Sequence, residues 1–309
     1  MKNNINNNVL FFSVLMAAYR NAKYIEEAIN SVIKQTYPHW ELIIVDDHSD
    51  DNSIEVIKPF LKDNRIKLIP HKVNTGYGDT LKTAADNANF DIIAILDADD
   101  KLHEKALEKM ADAYRNNPNC GFIYSTMYDC DSNLENCLVS KLVGPIIPEQ
   151  TNIFNIRVSH FKTFRKDLYK KTSGFDPNQK RAVDKDIIFK MEEVTKFKFI
   201  DTPLYYYRHH ESGISQGKTE REAWIYHYIA KCKAYRRRLN KDIPNVSLHY
   251  LYYEYFKITF HKLNRKIKTV IRIFKSSNQV KKLLILSRFL TSKSRILDSI
   301  REEIIKGLD

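Results

Sequence analysis

The sequence predicts an α/β protein with a mainly parallel sheet and helices on both faces, extended at its C-terminus by a basic helical region. Three observations point there. Through the first 220 positions, short apolar runs alternate with stretches of helical periodicity. The runs are apolar throughout rather than alternating, as in strands buried on both faces. Charge is divided as well: residues 221–309 hold 21 Lys+Arg against 7 Asp+Glu, a net of +14, and 1–220 hold 29 against 31. The formal +12 of the chain therefore resides in its last third.

The elements follow in order. "VLFFSVLM" (9–16) reads as a first strand, and a helix over 21–35 places Ile25, Ala28, Ile29, Val32 and Ile33 on one stripe. "TYPHW" breaks that helix, and "ELIIV" (41–45) makes a second strand ending on Asp46 and Asp47. Ile54, Ile57 and Leu61 mark another helix before strand "IKLI" (66–69). In the loop "NTGYG", Gly76 and Gly78 suit a turn; the pattern is no P-loop. A helix over 78–88 leads into "IIAIL" (92–96), and Leu102, Ala106, Met110 and Tyr114 define a helix over 102–115. "GFIYS" (121–125) is the next strand, residues 127–160 read as irregular, and Tyr205, Tyr206 and Tyr207 as a strand of alternating burial. Two domains are predicted, 1–218 and the basic helical region 219–309.

A chain of 309 residues is long enough for one large core plus an appendage, and its 8 glycines and 9 prolines exclude a fibrous or disordered chain. "MKNNINNN" is polar, and the apolar run Val9 to Ala18 is too short for a membrane span, which needs about 20 residues. It lacks a basic flank and a cleavage pattern, so a strand is expected there rather than a signal peptide. Cys120, Cys130, Cys137 and Cys232 form no CxxC pair and no metal-ligand spacing, which predicts reduced thiols in a cytoplasmic protein.

The acidic strand ends carry the chemistry. Asp97, Asp99 and Asp100 close one strand and Asp46 and Asp47 another, and in a doubly wound sheet both groups reach the same rim. Helix capping accounts for one Asp at each strand end, not three. A phospho-accepting receiver domain would begin at the strand before Asp46, but a full strand–helix unit precedes it. A phosphatase of the haloacid dehalogenase type wants Thr or Val where Lys101 stands. What remains is an Asp-x-Asp that binds a divalent cation carrying a diphosphate; hard carboxylate oxygens suit Mg²⁺ or Mn²⁺.

On these residues the chain resembles an inverting family 2 glycosyltransferase of the GT-A fold. The likeness runs through "SVLMAAYRNAKYIEEAINSVIKQTYPHWELIIVDDHSDDNS", "NTGYGDTL", "IIAILDADD", "SHFKTFRKDLYKKTSGFD", "VDKDIIFKM" and "DTPLYYYRHHESGIS", in the family's order over residues 9–216. It implies that Ala17 and Tyr19 contact the nucleotide, with Glu26 on the first helix near it. Asp46 and Asp47 would bind base and ribose, and Asp97 the ribose. Asp99, with Asp100 beside it, would hold Mn²⁺ or Mg²⁺, and His210 of the "Tyr-Arg-x-His" pattern would lie near the diphosphate and metal. Asp184 falls where the family has its general base. Two positions depart from the pattern. Val183 stands where an acidic or amide residue often precedes the base, which leaves Asp186 as a rival, and Arg20 followed by Asn21 replaces the usual Asn after Tyr19. His209 reads as an ordinary surface histidine.

The resemblance further implies a nucleotide-sugar donor, a uridine diphosphate sugar, and a glycan or lipid-linked acceptor. Two other readings compete. A nucleotidyltransferase needs a Gly-rich phosphate loop after the first strand, which "MAAYRNAKY" lacks. A non-catalytic scaffold acting through its tail has no use for Asp99 and Asp184 together. In that tail, Val280, Leu283, Leu284, Phe289 and Leu290 interleave with Lys281, Lys282, Arg288, Lys293 and Arg295. Such a basic amphipathic pattern predicts peripheral contact with an anionic membrane at its cytoplasmic face. The alternative is packing on the preceding domain or on a second copy of the chain, as a homo-oligomer. No nucleic-acid-binding motif accompanies the charge, so nucleic acid is not expected as a partner.

Overall fold

A computed structural model describes residues 9–147, 151–153, 155–211 and 220–239. The chain divides into two compact units, Met1–His227 and Tyr228–Asp309, and the strands among the described residues belong to the first. Most of the basic C-terminal region, including the interleaved residues of 280–295, lies outside the described residues. Among the described residues no helix is long and apolar enough to cross a membrane.

The elements are β1 (Phe12–Ala18), α1 (Ile25–Ile33), β2 (Trp40–Asp46), α2 (Ser53–Ile57), β3 (Ile66–Pro70), α3 (Tyr77–Asp86), β4 (Ile92–Ile95), β5 (Lys101–Leu102), α4 (Ala106–Asn116) and β6 (Cys120–Cys130). They continue with β7 (Leu138–Val139), β8 (Lys162–Arg165), α5 (Lys166–Tyr169), α6 (Val183–Glu192), β9 (Lys196–Arg208) and α7 (Glu220–Leu239). One sheet runs β3-β2-β1-β4-β8-β6-β9-β5, with β7 added on β6.

The apolar runs behave as expected: β2 and β4 are buried along their whole length and β1 nearly so. α1 buries Ile25, Ala28, Ile29 and Val32 of its predicted stripe with Ile33 half-buried, and α4 buries Ala106, Met110 and Tyr114 as predicted, together with Leu107 and Ala111. Burying side chains of this size stabilises by about 1.5–3 kcal/mol each before the entropy of ordering is counted.

Two boundaries shift, each for a physical reason. α1 starts at Ile25 rather than 21 because Asn21 makes the turn ahead of it: its Oδ1 accepts Tyr19 N–H at 2.9 Å, and its carbonyl accepts Tyr24 and Ile25 N–H. Leu102 leaves the predicted helix for β5, where it pairs with Tyr205 of β9 in a partnership far too distant in sequence for periodicity to register.

Strand order positions the site. From β1 the chain winds to β2 and β3 on one side, and β4 then adds on the other, so the switch in direction falls between β1 and β4. Both pairings are parallel, with Ala18 opposite Asp46 and Leu15 opposite Ile95, and the carboxyl ends of the three strands therefore share one rim. β8 is antiparallel to β4 with Thr163 opposite Ala94, which brings the start of β8, at Lys162, back to that rim.

The region expected to be irregular is more ordered at its start. β6 continues to Cys130 and returns through β7, with Asp129 opposite Leu138. The Asp131 carboxylate holds the connecting loop, accepting Asn133 N–H at 3.0 Å, Glu135 N–H at 2.8 Å and Asn136 Nδ2 at 2.7 Å. This hairpin brings the Cα atoms of Cys130 and Cys137 to 4.1 Å, and the two form a disulfide. The expectation of unpaired, reduced thiols is corrected for this pair; Cys120 remains a free thiol. Linear spacing did not reveal the pairing because the hairpin, not a motif, creates the proximity.

Both turn glycines have defined work. Gly76, at φ +93°, caps α3, and Gly78 packs where a Cβ would strike the backbone carbonyls of Asp176 and Gln179.

Candidate active site

Where β2 ends, two adjacent carboxylates have different surroundings. Asp46 is fully buried; its Oδ2 accepts Ser49 N–H at 2.9 Å, and its Oδ1 has no hydrogen-bond donor among the described residues. Asp47 is saturated instead. Its carboxylate accepts Thr75 N–H at 2.8 Å, Gly76 N–H at 2.7 Å and Thr75 Oγ1 at 3.0 Å, with His71 Nδ1 also 3.0 Å away. Burial opposes its charge, but these donors prevail and hold its pKa below the ordinary carboxylate value. Asp47 thus builds the 71–76 loop, whereas Asp46 keeps an oxygen for a partner.

The loop after β1 is pinned across to the loop after β2. Arg20 adopts φ 56° and grips Asp50 with both ends of its guanidinium, Nε to Oδ1 and Nη2 to Oδ2, each at 2.5 Å. Asn21 serves the turn described above, so at the two positions that depart from the family pattern Arg20 makes an ion pair and Asn21 a turn. Tyr19 is exposed beside this tether and Ala17 half-buried at the end of β1. Glu26 is exposed on α1, and no contact among the described residues links it to the acidic strand ends. Its neighbour Glu27 provides that link, accepting Arg208 Nη2 at 2.7 Å.

Beyond β4, three carboxylates crowd together and are clamped from β9. Tyr205 receives Asp97 N–H at 3.1 Å and donates to Asp100 Oδ2 at 2.7 Å, while Arg208 N–H donates to Asp100 Oδ1 at 2.8 Å. The Arg208 guanidinium reaches the Asp99 carbonyl at 2.6 Å and the Ser132 carbonyl at 2.8 Å. His210 Nε2 lies 2.9 Å from Asp99 Oδ2 and is itself packed against the Tyr24 ring. His209 is exposed, 3.3 Å from Asp129.

Tyr77, at the start of α3, donates to Asp97 Oδ1 at 2.6 Å. Burial foremost, with Asp99 and Asp184 adding, raises the Asp97 carboxyl to about 6 against the opposing pull of Lys162 and Tyr77. Burial, Asp99 and Asp97 likewise push Asp100 well above the ordinary range.

Asp184 opens α6 behind Ala182, whose left-handed φ of 52° sets the helix entry. Its Oδ2 lies 3.4 Å from Lys185 Nζ and 3.6 Å from Lys162 Nζ. Burial opposes its ionisation, but Lys185, Lys162 and His160 outweigh that and hold it far below the usual range. Asp186 points elsewhere: it is buried against Lys190 at 2.6 Å, and that ammonium also donates to the Gly174 carbonyl. The rival base is thus engaged in an internal ion pair, while Asp184 shares the electrostatic surroundings of Asp97.

A divalent cation fits these donors. Asp97, Asp100 and His160 can each place one ligand atom within 4.8 Å of the others, and Asp99 with His210 forms a second carboxylate–imidazole pair beside them. Sequence reasoning missed His160, Lys162, Tyr77, Tyr205 and Arg208. Lys162 left no clear signal, because β8 reads Lys-Thr-Phe-Arg and nothing local marks one of its two charged residues as enclosed.

Residues 13–188 match the family model described as glycosyl transferase family 2. Chondroitin synthase of Escherichia coli is 29% identical over 194 residues, a match covering 62% of this chain and 28% of that protein. The E. coli UDP-Glc:α-D-GlcNAc-diphosphoundecaprenol β-1,3-glucosyltransferase WfgD is 36% identical over 133 residues, covering 43% of this chain and 51% of WfgD. The chain thus spans about half or less of these two relatives. Among solved structures, S. aureus TarS 1–349 in complex with UDP-GlcNAc superposes with a TM-score of 0.65 at 20% identity, over 96% of this chain and 89% of that one.

The raised carboxyl of Asp97 gives a pH-dependent expectation. A folded-state pKa of about 6 against an ordinary 3.8 means a stabilising contribution that is complete below 3.8 and lost as pH rises through about 6. Asp97→Asn is therefore expected to raise the thermal midpoint of the ligand-free protein at pH 8 and to raise it much less at pH 4.5. Scanning calorimetry of both proteins at the two pH values checks this; an equal shift at both would contradict the electrostatic cause.

Proposed function

The chain belongs to glycosyl transferase family 2 and has its GT-A fold, and from that premise we propose that it transfers a sugar from a uridine diphosphate donor to a glycan or lipid-linked acceptor with inversion. The observation that carries the reading is the convergence of Asp97, Asp99 and Asp100 with Asp184 at the rim beside the strand switch point. Asp99 and Asp100 suit a cation bearing a diphosphate, Asp97 a ribose hydroxyl, and Asp184 a proton. The UDP-Glc in the name of WfgD and the UDP-GlcNAc bound to TarS support uridine as the nucleotide, and the diphosphoundecaprenol in the former supports a lipid-linked acceptor.

Each part of the site then has a task. The unpartnered Asp46 Oδ1 takes a donor N–H or hydroxyl from the nucleoside, with Ala17 and Tyr19 beside it, while Asp47 shapes the loop at its flank. Glu26 stands at the edge of this region. Asp97 receives a ribose hydroxyl. Asp99 and His210, with Asp100 behind them, would hold Mn²⁺ or Mg²⁺, which would supply Lewis-acid neutralisation of the departing diphosphate. Asp184, kept ionised by its lysine neighbours, takes the proton of the acceptor hydroxyl as that oxygen attacks the anomeric carbon opposite the leaving group. A single displacement with a single base inverts the centre. The basic region of 219–309, with its net +14 over 221–309, suits peripheral attachment to an anionic membrane, where a lipid-linked acceptor would be found.

Three expected outcomes follow from this assignment. In calorimetry, Mn²⁺ should strengthen uridine diphosphate binding to the wild type by about tenfold or more, and Asp99→Asn should lose most of that gain; equal affinities with and without metal in both proteins would refute the role. Asp184→Asn should keep donor affinity and lower kcat by about 10²-fold or more. Asp186→Asn, which strands the buried Lys190 charge, should instead lower folding stability by about 3 kcal/mol, and the reverse pattern would reassign the base. Finally, the full chain should co-sediment with anionic vesicles, less with neutral ones, and release as salt rises. Indifference to anionic vesicles at low salt would leave the tail a packing element.

A further inference from the structure

Lys162 is a lysine whose side chain is fully enclosed, at the start of β8, in the one place where the antiparallel strand reaches the acidic rim. Burying an ammonium carries a large desolvation penalty unless neighbouring groups offset it. Its Nζ lies 3.2 Å from His160 Nδ1 and 3.6 Å from Asp184 Oδ2. Burial lowers its pKa, and Asp184, Asp97 and Asp100 oppose that fall and favour the charged form.

The hydrogen-bond chemistry of this contact fixes the imidazole. As an ammonium paired with Asp184, Lys162 has three donors and no acceptor, so in that form His160 Nδ1 accepts and the neutral ring carries its proton on Nε2. That nitrogen lies 3.7 Å from Asp97 Oδ2, and the ring is held in place by stacking on Tyr205 and Tyr207, with centroids 4.6 and 5.5 Å away. His160 therefore turns an N–H, not a lone pair, toward Asp97. While Lys162 donates to Nδ1 the ring proton cannot move there and free Nε2 for a metal, although the ring's position alone would allow it to complete a ligand set with Asp97 and Asp100.

We propose that Lys162 is a positioning residue that partitions the carboxylates. Through His160 it denies a divalent cation the Asp97–Asp100–His160 position and confines the ion to the Asp99–His210 side, and through their ion pair it reserves Asp184, metal-free, for the acceptor. The inference rests on the glycosyltransferase reading for the purpose of Asp184, but its metal arm stands without it. A lysine acting on the cation through its charge alone makes a different expectation, because the gain in metal affinity on its replacement would then survive loss of the His160 ring.

The test uses the full chain and Mn²⁺ alone, titrated calorimetrically without nucleotide, alongside donor kinetics. Lys162→Met removes a fixed charge near the carboxylates and frees His160 Nδ1 to carry the proton, so Mn²⁺ should bind about tenfold or more tightly. His160→Gln added to that variant should cancel most of the gain. kcat should fall about 10²-fold with little change in donor KM. His160→Gln in the wild-type background should leave Mn²⁺ affinity unchanged, a measurement that holds even if Lys162→Met does not fold, and Lys162→Arg should keep the wild-type affinity. Unchanged Mn²⁺ affinity in Lys162→Met, or a loss of affinity in His160→Gln alone, would overturn the proposal. If the Mn²⁺ pattern appears but no nucleotide sugar is bound or turned over, the partition stands and the glycosyltransferase reading of this chain fails instead.

Discussion

Mutual repulsion among the carboxylates at the carboxyl rim governs how the first unit is built. Asp97, Asp99, Asp100 and Asp184 lie close enough to act on one another's charge, and burial raises the penalty further. A fold organised for stability alone would disperse them. Here the surrounding elements are instead arranged to hold them together. Tyr77 reaches in from α3, Tyr205 and Arg208 from the end of β9, and Lys162 from the start of β8. The antiparallel insertion of β8 into a sheet that begins parallel serves the same end, since only that direction delivers its first residue to this rim.

Arg208 is the most heavily engaged of these holders. Its backbone N–H and its guanidinium together touch both Asp99 and Asp100, the Ser132 carbonyl and Glu27, and the cation sits 4.5 Å over the Tyr24 ring. It thereby joins the acidic loop to α1 and to the disulfide-closed hairpin in one buried side chain. Such a planar, always charged group, with donors in a fixed fork, meets several fixed acceptors at once; a flexible ammonium does so poorly.

Much of this architecture was legible in the sequence, and the limit has a physical cause. Continuous apolar runs identified β1, β2 and β4, and the i, i+3, i+4 stripes identified α1 and α4, because those signals are local. The acidic strand ends were likewise visible, and their shared rim followed from parallel winding. What stayed hidden depends on long-range pairing: β5 through Leu102 and Tyr205, the Cys130–Cys137 bridge through its hairpin, and the pairing of Lys162 with Asp184 across β8 and α6. The roles of Asp46 and Asp47 could not be told apart either, since only the fold shows that Thr75 and Gly76 occupy one carboxylate and leave the other an open oxygen.

The clamp on the acidic loop also has a dimension in time. Tyr205 and Arg208 close on Asp100 across sequence separations of 105 and 108 residues. A chain leaving the ribosome at about 5–20 residues per second exposes Asp97, Asp99 and Asp100 for several seconds before β9 can reach them. During that interval β1 to β4 already hold the apolar surface needed to associate, yet the carboxylates at their tips are unrestrained. The geometry of the site therefore waits on residues more than 100 positions downstream, and any nascent chain that stalls between residues 100 and 205 lacks the clamp on its acidic loop.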